Sequence, residues 1–295
     1  MAMFKKARAD AHIKQGNECF ILGQYAEAAD AYNKAVAINP DDSSAYFNMG
    51  ITYDNLGQYA DAVGAYRNAV ALAPDNAHAY CGMGYAHFNL GGYEDAVDAY
   101  EKAVAIEPQY ALAHYDMGKA LGALGRHAEA VTAYEKAIDI RFDYALAYYD
   151  TGVALNALEQ YPEAIIAFKR AVAAKPETDN YYRRLADADP VFQWKDSISP
   201  YKKPVAIQAD VADSHLGMAL SYSKLEQYPE AVDALKTAAE LKPDNAEAYY
   251  RLGGAYEKLE ENIKAVLAYQ MFVSLEKTGE NADTARNRIE ELSGK

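Results

Sequence analysis

The chain has 295 residues, and its 43 acidic side chains outnumber its 29 basic ones, which gives a formal net charge of −14. This excess of negative charge argues against a nucleic-acid partner, because phosphate backbones repel acidic surfaces. No stretch approaches the apolar length of a membrane span, and the segment from Met1 to Lys6 lacks the apolar core of an export signal. We therefore expect a cytoplasmic protein without membrane insertion, and a reducing compartment suits its two cysteines, Cys19 and Cys81.

A unit of 34 residues repeats along most of the chain, and each unit contains two predicted helices. In the unit that begins at Ser43, apolar residues recur at three- and four-residue spacing, as on one face of a helix. Gly57 lies in the break between the two helices and suits a left-handed helix end. Pro74 cannot continue a helix and ends the second one. Each unit is thus predicted to be a helical hairpin that buries its apolar faces only by stacking on its neighbours.

Seven units share one register. A small residue at the eighth position and an alanine at the twentieth define it, and an aromatic residue or leucine follows the alanine by four residues. The units begin at Ala9, Ser43, Ala77, Ala111, Ala145, Ala212 and Ala246. After the last unit, the segment from Asn281 to Leu292 is predicted to be a terminal helix that caps the array with a polar outer face.

This pattern resembles the tetratricopeptide repeat, a helical hairpin with small residues at positions eight and twenty and a proline near its end. The resemblance covers all seven units in phase. It implies an all-α, right-handed superhelical solenoid of helix–turn–helix repeats. It also implies a protein that holds other proteins rather than one that catalyses a reaction.

The pattern is interrupted between residues 179 and 211. Pro190, Pro200 and Pro204 disfavour a regular second helix there, so we predict a degenerate repeat with an irregular segment. Its apolar residues either fill the gap left by the missing helix or form an exposed docking segment or hinge. The candidate docking residues are Arg183, Arg184, Phe192, Trp194 and Lys202.

The interruption gives the predicted domain organisation. Residues 1–178 form an N-terminal lobe of five hairpins, and residues 179–211 form the degenerate repeat. Residues 212–295 form a C-terminal lobe of two hairpins and the capping helix.

The sequence contains no grouping of residues that predicts catalysis, a metal site or a cofactor. No two histidines have the H-x-x-x-H spacing of a helical metal site, and there is neither a glycine-rich phosphate loop nor a nucleophile elbow. Acidic residues such as Asp61, Glu94 and Glu101 fall on the outer faces of second helices, where solvation is the ordinary state of a charge.

The resemblance implies that the first helices line a concave groove, with the second, fifth, sixth, ninth, twelfth and thirteenth residues of each unit facing inward. We expect these positions to lie off the packing face, which would leave their aromatic side chains available to a partner. The candidate partner-binding residues are Phe47, Asn48, Asn55, Tyr85, Phe88, Asn89, Tyr115, Tyr149 and Asn156. Rigid aromatic anchors beside amides suit an extended peptide or a partner helix. The alternative is that some of these rings pack between neighbouring first helices.

Three functions remain open at this point. The first is a non-catalytic scaffold that binds a peptide segment or partner helix in the groove. The second is a self-assembling, homo-oligomeric array. The third is an accessory subunit that regulates an enzyme or a secretion complex.

Overall fold

The computed structural model of the protein describes residues 2–141, 144–174 and 206–294. Within these ranges the chain forms fifteen helices and no strand, which confirms the all-α class. The chain divides into two compact units, unit 1 and unit 2. Unit 1 contains α1 Ala2–Ile21, α2 Tyr25–Ile38, α3 Ser43–Asn55, α4 Tyr59–Leu72, α5 Ala77–Asn89, α6 Tyr93–Ile106, α7 Ala111–Ala123 and α8 His127–Ile140. Unit 2 contains α9 Ala145–Ala157, α10 Tyr161–Ala173, α11 Ala206–Lys224, α12 Tyr228–Leu241, α13 Ala246–Lys258, α14 Asn262–Leu275 and α15 Glu280–Ser293.

Short polar and glycine residues set where the helices begin and turn. The Oδ1 atom of Asp42 accepts a hydrogen bond from the Ala45 amide at 3.1 Å and so caps the start of α3. The predicted left-handed turn is confirmed at Gly57, whose φ is 70°. In unit 2 the equivalent turn residues are Glu159, Glu226 and Glu260, with φ of 58–59°. Left-handed backbone costs an L-residue about 1 kcal/mol. The local backbone hydrogen bonds are nevertheless the same as in unit 1, since the Gln160 amide donates to the Leu155 carbonyl at 2.9 Å, as the Gln58 amide does to the Tyr53 carbonyl.

Six of the seven hairpins close around one large ring that lies against a glycine, and the hairpin α11–α12 has Leu235 and Ala219 at these positions. In the second repeat, a Cβ atom on Gly50 would lie 2.6 Å from the Tyr66 ring, and Tyr66 is 1% exposed. The same close approach joins Gly84 to Tyr100 and Gly152 to Phe168. The small residue at the eighth position is therefore required because the ring of the second helix occupies the space a side chain would take.

The ring also reaches the next hairpin. A Cβ atom on Gly82, in α5, would lie 2.5 Å from Cζ of Tyr66, so Tyr66 is held between its own hairpin and the one that follows. Helices α4 and α5 pack together, as do α2 with α3 and α6 with α7. Unit 1 is thus a stack in which every hairpin contacts its sequence neighbours, as the repeat pattern predicts.

In unit 2, helix α11 packs directly on α10. A Cβ atom on Gly217 would lie 2.4 Å from Cζ of Phe168, which repeats the relationship between Gly82 and Tyr66. Ser221 in α11 also donates a hydrogen bond to Oδ1 of Asn156 in α9, at 2.7 Å. The hairpins α9–α10 and α11–α12 are therefore direct neighbours in the stack of unit 2.

The degenerate repeat predicted for residues 179–211 falls mainly outside the described residues, as do the docking candidates Arg183, Arg184, Phe192, Trp194 and Lys202. The described chain resumes with α11, which begins at Ala206. The sixth repeat was predicted to begin at Ala212, so its first helix is six residues longer at the start than predicted. At the end of unit 2, α15 packs on α14, and this confirms the predicted capping helix.

Candidate functional site

The first helices of the hairpins in unit 1 form one surface. Helix α3 contacts α5, and α5 contacts α7, although a second helix separates each pair in the sequence. The second helices α4 and α6 make no comparable contact with each other within the described residues. First helices that approach one another more closely than second helices lie on the inner side of a stack. Of the predicted groove residues, those from Phe47 to Tyr115 lie on α3, α5 and α7, whereas Tyr149 and Asn156 lie on α9 of unit 2.

Three of the predicted groove aromatics pack into the hairpin cores, contrary to the expectation that their positions lie off the packing face. Ring centroids are 6.0 Å apart for Phe47 and Tyr66, 5.8 Å for Tyr115 and Tyr134, and 5.7 Å for Tyr149 and Phe168. The reason is helix geometry. The fifth and eighth residues of a unit lie on one helical face, so a ring placed against the small eighth residue also meets the fifth.

Burial separates these rings from the rest of the inner face. Tyr115 is 8% exposed, so it belongs to the core of unit 1. By contrast, Tyr85 is 42% exposed, and Phe88 on the same helix is half-buried. Asn89 is exposed and donates from Nδ2 to the Tyr85 carbonyl at 2.8 Å. Helix α5 therefore presents two aromatic rings and an amide on the inner face.

Two of the predicted amides are used within the stacks. Asn48 is 4% exposed, and its Nδ2 donates to Oδ1 of Asn17 in α1 at 3.5 Å. Asn156, in unit 2, accepts the hydrogen bond from Ser221. Asn55 is half-buried and donates from Nδ2 to the Ile51 carbonyl at 2.8 Å. Of the predicted amides, Asn89 is thus the most accessible to a partner.

Asp54, on the inner face of α3, was not among the predicted site residues. The Tyr66 hydroxyl donates to its Oδ2 at 2.6 Å, whereas its Oδ1 is buried without a hydrogen-bond partner in the described structure. Burial raises the pKa of Asp54 to about 7, and the hydrogen bond from Tyr66 offsets part of that rise. A carboxyl group that titrates near neutral pH therefore lies beside the candidate groove.

The same hydroxyl–carboxylate pair recurs in the last repeat with a cation added. The Tyr269 hydroxyl donates to Oε1 of Glu257 at 2.6 Å. Arg288 of α15 donates to the same carboxylate, with Nε 3.1 Å from Oε1. Hydrogen bonding from Arg288 lowers the pKa of Glu257, the opposite direction to that of Asp54. The guanidinium from the capping helix thus keeps this carboxylate charged.

Unit 2 has an open cleft of about 560 Å³. Its lining includes Ser223 and Lys224 of α11 and Tyr250, Arg251 and Lys258 of α13. These residues occupy the fifth, sixth, twelfth and thirteenth positions of their repeats, which are groove positions in the sequence analysis. Arg251 is paired with Glu247, with its Nε 2.6 Å from Oε1. The inward positions therefore line a real depression in unit 2.

A second surface, which the sequence analysis missed, lies on the outer side of α14. Four large apolar residues follow one another at four-residue intervals along this helix. They are Ile263, Leu267, Met271 and Leu275, which are 79%, 57%, 45% and 40% exposed. We call this row the α14 stripe.

The described residues contain no group of three or more metal-binding side chains that is suited to hold an ion. Among the described helices, none combines the length and the apolar character needed to cross a membrane. Both cysteines are free thiols, and burial raises the pKa of Cys81 above its ordinary range.

Sequence models of known families match most of the chain. The model described as tetratricopeptide repeat matches residues 47–111 and 115–178. A TPR repeat model matches residues 16–57 and 221–260, and another tetratricopeptide repeat model matches residues 246–278. The chain belongs to the tetratricopeptide repeat family. No curated protein sequence matches it.

Solved structures of tetratricopeptide repeat proteins resemble this chain. A crystal structure of MamA is 28% identical in sequence to this chain. The similarity covers 59% of this chain and 96% of the MamA chain, with a TM-score of 0.55. MamA from Desulfovibrio magneticus RS-1 is 22% identical in sequence. That similarity covers 69% of this chain and 97% of the MamA chain, with a TM-score of 0.54. YrrB, described as a TPR protein with an unusual peptide-binding site, is 21% identical. It covers 75% of this chain and 96% of its own, with a TM-score of 0.56. The last two similarities concern the fold.

Proposed function

We propose that this tetratricopeptide repeat protein is a non-catalytic scaffold that binds a peptide segment or a partner helix on the inner face of unit 1. The observation that carries the proposal is the exposure of Tyr85, which is 42% exposed at an inward position. The ring is not needed to fill a hairpin core, since Tyr100 fills the core of that repeat. A reducing compartment such as the cytoplasm suits the free thiols of Cys19 and Cys81.

The neighbours of Tyr85 support the same use. Phe88 and Asn89 extend the inner surface of α5. Nζ of Lys119, in α7, lies 5.2 Å from the centre of the Phe88 ring. A rigid aromatic pair beside an amide and a cation offers apolar area together with hydrogen-bonding groups, which is the composition of interfaces that hold an extended peptide. The similarity to YrrB, a protein described as having a peptide-binding site, agrees with this proposal.

The proposed site thus consists of Tyr85, Phe88 and Asn89, with Phe47 and Asn55 at its edge. Tyr115 and Asn48 support it from the core. The cleft of unit 2, which is lined by Tyr250 and Arg251, is proposed as a second inner surface. Tyr149 and Asn156 are not part of it, because they pack and hydrogen-bond within their own stack.

The test is selection of peptides from a displayed random library on the immobilised full chain, followed by calorimetric titration of the best peptide. The double variant Tyr85→Ala with Phe88→Ala should bind about 30-fold more weakly or worse, because loss of an aromatic anchor costs about 2 kcal/mol or more. Glu101→Ala, on the outer side of α6 where Glu101 is exposed, is the control and should bind as the wild type.

Unchanged binding by the double variant would contradict the proposal. If binding were instead lost in Trp194→Ala or Lys202→Ala, the partner would use the segment that includes those residues, which was the alternative docking prediction.

A further inference from the structure

The cleft of unit 2 is lined by side chains whose charge differs in sign from that of the chain as a whole. Of the twelve residues around it, Lys224 of α11 and Arg251 and Lys258 of α13 are basic, and Glu247 is acidic. The whole chain, by contrast, has a net charge of −14. The cleft is therefore a local positive site on a negative protein, and it favours a ligand of negative charge.

The two lysines of the cleft are confined to the last two repeats, and the fold does not require them. Both occupy the thirteenth position of their unit, which is an inward position. Lys224 and Lys258 are exposed, and neither forms an ion pair with another described residue. The other five repeats have an apolar residue or an amide at this position, namely Ile21, Asn55, Asn89, Ala123 and Ala157.

The acidic groups of α13 already have cationic partners. Glu247 pairs with Arg251 inside the cleft. Glu257 does not line the cleft, and it accepts hydrogen bonds from Arg288 of the capping helix. Lys258 also lowers the pKa of Glu257, but to a smaller extent than the hydrogen bond from Arg288 does. Each of the two acids is thus compensated by an arginine, and the lysines keep their positive charge for a ligand.

The other acids of the neighbouring elements do not line the cleft. Glu261, in the turn after α13, pairs with Lys264. Asp213 lies eleven residues before Lys224 on α11, which is about 16 Å along the helix. The remaining acids close in sequence to the lining residues are exposed to solvent outside the cleft, and they are Glu226, Glu230, Glu260 and Glu280. The positive charge of the cleft is therefore not cancelled by its surroundings.

The shape of the cleft suits a short stretch of extended chain. Arg251 and Lys258 are seven residues apart on α13, or about 10 Å along the helix axis. In an extended peptide, residues three apart are separated by about the same distance. The ring of Tyr250, between the cations, packs on Tyr269 and Phe272 with centroids 5.9 and 5.0 Å apart, so its position is fixed. Cations spread in this way fit several side-chain carboxylates better than one carboxylate at a chain end.

We propose that the cleft of unit 2 binds an acidic segment of a partner protein, in which two or more Asp or Glu side chains pair with Lys224, Lys258 and the free N–H groups of Arg251. The segment lies in the cleft of about 560 Å³, against the ring of Tyr250. The proposal rests on the cleft being the second inner surface of the proposed scaffold, and it does not depend on the peptide site of unit 1. Electrostatic complementarity of this kind selects the partner and speeds its association.

The test is a fluorescence-anisotropy titration of the full chain against a labelled peptide of about eight residues, long enough to span the cleft. Glutamate alternates with serine in this peptide, and its C-terminus is an amide. A second peptide has glutamine in place of every glutamate. At about 20 mM salt the Debye length is about 20 Å, so charges in the cleft act on the whole peptide. The wild type should bind the glutamate peptide at least about tenfold more tightly than the glutamine peptide.

Charge reversal within the cleft should remove this preference. Lys224→Glu and Lys258→Glu should each bind the glutamate peptide at least about tenfold more weakly, because an attractive charge becomes a repulsive one. Lys236→Glu is the matched control, since Lys236 is an exposed lysine of α12 that does not line the cleft. This variant should bind as the wild type does, and circular dichroism of all three variants should match the wild type.

Four results would overturn the proposal. They are equal or absent binding of the two peptides, equal losses in Lys236→Glu and Lys258→Glu, binding that requires a free C-terminal carboxylate, and self-association of the wild type that Lys258→Glu abolishes, which would make a second copy the occupant. The double variant Tyr85→Ala with Phe88→Ala should bind the glutamate peptide normally. If that variant lost the peptide while Lys258→Glu kept it, the acidic segment would lie in unit 1, and the present inference would fail while the proposed function stood.

Discussion

The ring of Tyr66 lies where a side chain on Gly82 would be, with only 2.5 Å between Cζ and the position of a Cβ atom. Tyr66 belongs to the second hairpin and Gly82 to the third, so this contact joins two repeats. The hydroxyl of the same ring reaches Asp54 on the inner face. A single side chain therefore links the core of one hairpin, the interface with the next and the candidate groove.

The contact between Tyr66 and Gly82 predicts opposite effects for the same substitution at two glycines. Gly82→Ala should lower the free energy of unfolding by about 1–3 kcal/mol, because the Tyr66 ring cannot move aside in a packed core. Gly64→Ala, in the middle of α4, should raise it by about 0.5–1 kcal/mol, since nothing lies within 4 Å of the added methyl group. Urea unfolding followed by circular dichroism measures both. Equal effects at the two sites would contradict the packing described for α5.

A second prediction contrasts two tyrosines on the first helices. Tyr115 is 8% exposed and packs on Tyr134, so Tyr115→Ala should destabilise the fold by about 3 kcal/mol. Tyr85→Ala should cost about 1 kcal/mol or less, since that ring is 42% exposed. Thermal melting of the two variants and the wild type measures the two losses of stability. If Tyr115→Ala melted with the wild type, the aromatic pair would not contribute to the core.

The third prediction concerns pH and Asp54. Burial raises the pKa of Asp54 to about 7 in the folded protein, whereas an unfolded aspartate titrates near pH 4. The folded state then binds the proton more tightly, so this stabilisation is full below about pH 4 and is lost as the pH rises through about 7. Asp54→Asn lacks this dependence. Relative to the wild type, the variant should gain on the order of 1 kcal/mol or more between about pH 5 and about pH 8.

Urea titrations of both proteins at the two pH values measure this difference. Tyr66, Cys81 and Tyr100, which interact electrostatically with Asp54, are present in both proteins. Most of their own contribution is therefore common to the two titrations. Parallel stability curves for the wild type and Asp54→Asn would contradict the raised pKa.

The hairpins could be predicted from the sequence because their determinants are local and periodic. Gly57 at the turn and the small Gly50 opposite Tyr66 are each fixed by contacts within one unit, so they recur at a constant interval. The capping helix followed from the same periodicity. These features depend on backbone conformation and close approach, which few residue types permit.

The inner face was predicted less well because the burial of its side chains depends on how neighbouring helices pack. Phe47, Tyr115 and Tyr149 were assigned to a partner, although the three-residue spacing between the fifth and eighth positions already places them beside the core ring. The burial of Asp54 arises where α3 and α4 pack together, and residue type does not encode it. The α14 stripe was visible in the sequence, since Leu267 replaces a polar or small residue at that position in most repeats, but only a comparison by repeat position reveals it.

Helices α10 and α11 are neighbours in the stack although they do not follow each other directly in the chain. Residues 175–205 lie between these helices in the sequence, yet Phe168 meets Gly217 as closely as Tyr66 meets Gly82. Closing a longer connection costs little, since each doubling of its length adds only about 0.6 kcal/mol. Insertions at this junction are thus compatible with an unbroken array. The two chain segments on either side also have complementary faces, so the junction is a natural place to divide the protein into two fragments that reassociate.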